Sequence, residues 1–165
     1  MIEIAMTQKL QDEFWSETFE RKRLASFYNE FAVGIENART SAEAINSIGP
    51  LADLICNSSM SFQSSVLVFP HVLEIAQQTP DEVNSVILEC LCYWVYSAHW
   101  PNIDDASINY DRHEFCRELR KCLIEFLDKT ETERQRTWVL TGLAMTYDHW
   151  ELASAIHEYG HDNLM

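Results

Sequence analysis

Residues 157–161 read His-Glu-Tyr-Gly-His. On a helix, two imidazoles four residues apart share one face, and that spacing suits two ligands of a zinc ion. Glu158 between them would then activate a zinc-bound water as general base. A metal-dependent hydrolase also needs a third ligand. The usual patterns place it downstream, where only four residues follow His161. Asp162 is badly placed for it, so His113 or Glu118 would have to serve from upstream. Gly160 supplies the competing reading. A glycine beside the last helical residue is the usual C-cap, and histidines in a last turn neutralise the negative end of the helix dipole. We therefore read the string as a helix end. The metal set His157, His161 and Glu158 is the alternative, and no cofactor and no enzymatic activity are expected.

The remaining reactive residues are scattered. His113-x-x-Cys116, with Cys122 beyond it, has ligand chemistry but reads as a surface histidine beside a core thiol. Cys90 and Cys92 lie two apart, which puts them on opposite sides of a helix. With Cys56 these make five cysteines, an odd number. Reduced, buried thiols in a cytoplasmic protein are the simplest account. The chain contains no G-x-S-x-G, P-loop or glycine-rich dinucleotide loop.

Composition bounds the partners. The chain has 165 residues, 47% of them apolar, with 26 acidic against 12 basic side chains and a net charge of -14. That length fits one domain, 1–165, with a core of its own. A strongly acidic chain lacks the cations that phosphate contacts require, so nucleic acid is excluded, and anionic membranes repel it. No apolar run approaches the ~20 residues of a membrane span. In the commoner case such acidity serves solubility alone; the alternative is a field that attracts a basic protein. Arg117, Arg120, Lys121, Arg134 and Arg136 are expected to pair with neighbouring glutamates.

Elements that could position such a surface are helical. Only four Gly and four Pro are present, too few for the turns of a β-sandwich. Residues 80–98 carry Val83, Val86, Ile87, Cys90, Leu91, Trp94 and Val95 at helical steps. Leu88, Cys92, Tyr93 and Tyr96 thicken the stripe almost all round, which predicts a central, buried helix. Thr79-Pro80-Asp81-Glu82 predicts its start: a capping hydroxyl, Pro in the first turn and a glutamate reaching back. The same T-x-x-E pattern opens Thr40–Glu43 and Thr130–Glu133, at spacings of 39 and 51 residues. The excess corresponds to the loop HWPNIDDASINY, and without it the period is near 40, the range of paired-helix repeats. VLEIAQQTPDEV at 72–83 also lies over LIEFLDKTETER at 123–134, each predicting a helix end, a tight turn and a helix start. Before residue 40, Phe14, Phe27, Tyr28, Phe31 and Ile35 form one stripe. Further helices are expected at about 110–129, 132–147 and 148–159.

FQSSVLVFPHVLEIAQQTPDEV, with SIGPLADLIC repeating its apolar-Pro core around Pro50, resembles bacterial HEAT-like helical repeat proteins. The resemblance covers residues 40–98, extends less closely to 110–146, and departs from the pattern at Asn84. It implies an all-α fold: antiparallel helix pairs in a short superhelical array, or an irregular bundle, of six to eight helices. A short strand at SVLVF is the competing local reading. Members of this group include immunity proteins, which neutralise a cognate toxin by covering its surface. The resemblance thus implies a protein-binding module whose partner is another protein, such as a basic toxin. Insertions in repeat arrays often carry binding. The expected contact residues are Trp100, Asp104, Asp105, Tyr110 and Asp111, aromatics flanked by acids in the inserted loop. The alternative is an ordinary connection whose Trp100 tucks into the core.

Overall fold

In a computed structural model of the chain, the described residues are 19–57, 65–98, 100–103 and 110–164, and every regular element among them is helical. Among the described residues there are seven α-helices: α1 (Phe19–Asn37), α2 (Ser41–Asn57), α3 (Phe69–Gln77), α4 (Asp81–Ser97), α5 (Arg112–Leu127), α6 (Glu133–Thr146) and α7 (Trp150–Leu164). Short 3-10 turns occupy Val66–Val68 and Trp100–Asn102. None of the helices is long and apolar enough to cross a membrane. The chain divides into two compact units after Ile87, inside α4.

SVLVF is a turn and not a strand. Val66, Leu67, Val68 and Phe69 are all buried in succession. A half-buried strand would expose every second one. Here the chain coils instead, and Pro70 in the first turn of α3 carries it straight into a helix. Pro50, by contrast, lies inside α2, which continues past it to Asn57.

In the first unit α1 packs against α2. Tyr28, Phe31 and Ile35 of the predicted stripe are buried, joined by Leu24; Phe27 is only half-buried, with the Arg23 guanidinium 6.0 Å from its ring, and Phe14 lies outside the described residues. The turn between the two helices is a complete capping box. Thr40 Oγ1 accepts from Glu43 N (3.2 Å), and Glu43 Oε2 accepts from Arg39 N (2.6 Å) and Thr40 N (3.2 Å). Those backbone donors, Arg39 N–H foremost, hold the Glu43 carboxyl below the usual carboxylate range. The box is therefore intact while Glu43 is ionised and is lost as falling pH protonates it.

The other two T-x-x-E signals resolve differently. Thr79 does not cap α4: its hydroxyl turns back and donates to Ala76 O at the end of α3 (2.8 Å). Thr130 likewise donates to Leu127 O at the end of α5 (2.9 Å). Backbone bonds match as well, with Gln78 N to Ile75 O and Thr79 N to Ala76 O in one turn, Lys129 N to Phe126 O and Thr130 N to Leu127 O in the other. The correspondence of 72–83 with 123–134 is thus physical at the helix ends. It fails at the helix starts. In α6 the cap is Thr132, which accepts from Gln135 N (3.1 Å). Glu82, expected to reach back within its own helix, accepts from Ser41 N of α2 (3.1 Å).

In the second unit α6 packs against both α5 and α7. Phe115, Leu119, Leu123 and Phe126 of α5, and Val139 and Met145 of α6, are buried together with Leu91, Cys92 and Trp94 from α4. The packing is close enough to exclude a methyl group. A Cβ at Gly142 would lie 2.5 Å from Cys92 Sγ and 2.8 Å from Leu123 Cδ1, and one at Gly160 of α7 would collide with Thr137 of α6. Gly160 is therefore not a C-cap: α7 runs on to Leu164, and no described glycine has positive φ. The left-handed helix end falls instead at Asp148 (φ 62), after α6. Asp148 N donates to Met145 O (3.0 Å) and His149 N to Ala144 O (2.9 Å), the Schellman pattern with aspartate where glycine is usual. Asp148 Oδ1 accepts from Trp150 Nε1 (3.0 Å).

Two stability changes follow. Gly142→Ala will destabilise the protein by about 1–3 kcal/mol through overpacking, despite a gain of up to ~1 kcal/mol in helix propensity. Chemical denaturation reads this directly, and an unchanged or raised midpoint would refute the close contact. At Asp148, Gly will be more stable than Ala by about 1 kcal/mol, because only Ala strains at positive φ. Equal melting temperatures for the two variants would contradict that backbone conformation.

Candidate functional site

Trp100 is only 1% exposed. Its ring meets Phe115 of α5 edge-on at 5.1 Å, and the Arg112 guanidinium lies 5.0 Å from its centroid. Arg112 Nη1 donates to Trp100 O (2.7 Å) and Nη2 to Ile103 O (2.8 Å). Tyr110 packs on the same Phe115 at 5.9 Å, and burial pushes its phenol well above the ordinary value. Asp111 Oδ1 caps α5 by accepting from His113 N (2.9 Å) and Glu114 N (3.2 Å). Trp100, Tyr110 and Asp111 thus fasten the loop to α5. Asp104 and Asp105 lie outside the described residues.

The His-Glu-Tyr-Gly-His string lies wholly within α7. His157 is half-buried, its ring 4.5 Å from Tyr96 and 4.9 Å from Trp138. Trp138 also takes Tyr93 edge-on at 5.3 Å. Three helices, α4, α6 and α7, therefore build one cluster of four rings. Glu158 points to solvent. The side chain of His161 lies outside the described residues. The upstream ligands weighed for a metal are engaged or apart. Glu118 binds Lys121 (2.8 Å) and Arg117 (3.7 Å), and Lys121 chiefly holds its carboxyl below the usual range. His113 is exposed at the start of α5. Among the described residues, no three His, Cys, Asp or Glu side chains form a metal-binding group.

Three of the five thiols are placed against nucleophilic use. Burial raises Cys56, with Asp53 adding to it. Cys116 is pushed up to about 11 by burial, against the opposing pull of Arg120 and Arg112. Cys92 is fully buried and raised further. A reactive cysteine needs the opposite shift.

The tyrosines of α4 correct the expectation of a helix buried all round. Leu88 and Cys92 are buried, but Tyr93 is 41% exposed. It sits one turn beyond Glu89, which binds Arg134 of α6 at 2.7 Å, and Trp138 sits one turn beyond Arg134. An aromatic group with a polar edge results. A pair of tyrosines three apart on α4 was the available sequence signal for it.

Charges are unevenly disposed. Arg117 pairs with Glu114 and Glu118, Lys121 with Glu118, Arg136 with Glu133, and Arg134 with Glu89. Arg120 departs from the expected glutamate pairing: it donates to Thr146 O and stacks 3.7 Å over Tyr147. Glu125, Asp128, Glu131, Glu151 and Glu158 are exposed.

If His157 serves as a stacking ring, His157→Phe will keep stability within about 0.5 kcal/mol, whereas His157→Ala will cost about 1–2 kcal/mol. Denaturation of the two variants decides it, and a Phe variant as weak as the Ala variant would argue for a polar role.

Comparison with known proteins adds no relative: no family model matches the chain, and no curated protein or solved structure matches it.

Proposed function

We propose that this is a non-enzymatic, protein-binding helical module of immunity type, which covers a basic partner with its acidic surface. The HEAT-like reading of its hairpins belongs to the same proposal, supported by the matched helix ends at Thr79 and Thr130. The observation that carries the function is the excess of acid, shared equally by the two units. Residues 88–165 hold fourteen acids and seven bases, and residues 1–87 hold twelve and five. In the second unit Arg117, Lys121, Arg134 and Arg136 are spent on acids of their own unit. Acids outnumber bases two to one there, so a net negative field remains.

Such a field acts mainly on association. It steers an oppositely charged partner into encounter and repels acidic competitors. It is screened over ~8 Å at physiological salt, so association slows as salt rises. The burial that raises Cys56, Cys92 and Cys116, and the stacking of His157 on Tyr96 and Trp138, support binding rather than turnover.

The natural test uses the basic proteins encoded beside this chain's gene. Purified, one of them should bind stoichiometrically, with an association rate falling roughly tenfold or more from low to physiological salt. Co-expression should suppress any toxicity of that partner in the cytoplasm. Absence of binding to every such protein at low salt would reject the proposal.

A further inference from the structure

We propose that the outward face of α7 is the docking site for a cationic amphipathic segment of the partner; this rests on the protein-binding reading above. Helix α7 has two faces of different character. Ala153 and Gly160, seven apart, are buried, and between them His157 stacks on Trp138. A flank about 100° round the helix from them carries Leu152 and Tyr159, also seven apart and therefore on one line along the helix. They are 53% and 72% exposed. Ala155 is exposed between them, so two turns present a continuous apolar stripe, ~10 Å long.

One edge of that stripe is purely acidic. Glu151 and Glu158, again seven apart, are exposed along it. The helix WELASAIHEYGHDNL contains no Lys or Arg. This separates α7 from α5 and α6, where Arg117, Lys121, Arg134 and Arg136 pair with glutamates on the same or a neighbouring helix. An apolar strip with an uncompensated negative edge complements a partner helix that carries leucines on one face and lysines or arginines beside them. Other occupants fit poorly. A second copy of this chain would set Glu151 and Glu158 against an equally acidic surface, and an anionic bilayer would meet the same repulsion.

The test titrates the full chain with a synthetic leucine–lysine amphipathic peptide and follows backbone amide shifts by NMR and affinity by calorimetry. Saturable binding should move the amides of residues 151–159. Leu152→Ser combined with Tyr159→Ser leaves the charge unchanged and should weaken binding by about tenfold or more. Glu151→Lys with Glu158→Lys should weaken it similarly. All four side chains are exposed, so unchanged circular dichroism and melting will certify the fold. Ile45→Ser on α2, at 57% exposure, should have no effect. Binding that survives both α7 variants overturns this site while leaving the protein-binding reading intact. Failure of the peptide and of every basic neighbour protein to bind overturns both. Concentration-dependent self-association abolished by the Leu152/Tyr159 variant would assign the face to a second copy instead and likewise overturn the proposal.

Discussion

Helix α6 can touch α4, α5 and α7 so closely only because two positions lack a side chain. At Gly142 the backbone of α6 lies against Cys92 and Leu123, and at Gly160 the backbone of α7 lies against Thr137. Close approach maximises the many small dispersion contacts that a packed interior depends on. It also fixes the azimuth of α7. With Gly160 and Ala153 turned inward, His157 must lie beside Trp138, and Leu152 and Tyr159 must point away. The aromatic cluster and the exposed stripe are thus two consequences of one contact.

Fold class was legible because it rests on periodicity and composition, which are local. Helix starts were less so, for a reason visible in the three threonines. A T-x-x-E string specifies donors and acceptors but not the backbone geometry that aims them. At Thr40 the preceding turn leaves the hydroxyl facing Glu43 N. At Thr79 and Thr130 the residue instead closes a helix end, and the nearest acceptor is the carbonyl three residues back. Glu82 is then released to serve Ser41, a partner 41 positions away that no local pattern names.

Readings of single residues divided along the same line. The inserted loop was legible as a distinct segment with aromatic anchors, but not where the anchors would point. Arg112 decides that, since its guanidinium holds Trp100 O and Ile103 O and brings the indole onto Phe115. The histidine string was legible as one helix face. Its surroundings were not, because Tyr96 and Trp138 come from two other helices. Gly160 misled for a physical reason. Glycine is favoured both where φ is positive and where two backbones meet, and sequence spacing near a helix end cannot separate the two.

The distribution of charge completes the picture. An excess of fourteen negative charges opposes compaction through self-repulsion, and solubility alone needs far less. A chain selected only for stability would intersperse the two signs, as α5 does with Glu114, Arg117, Glu118 and Lys121. Helix α7 instead keeps Glu151 and Glu158 beside Leu152 and Tyr159 and has no lysine or arginine to offset them. On the proposed reading that cost is recovered on binding, when a partner's cations neutralise the acids and its apolar side chains cover the stripe. The same two features that weaken the isolated chain would then set both the rate and the selectivity of its association.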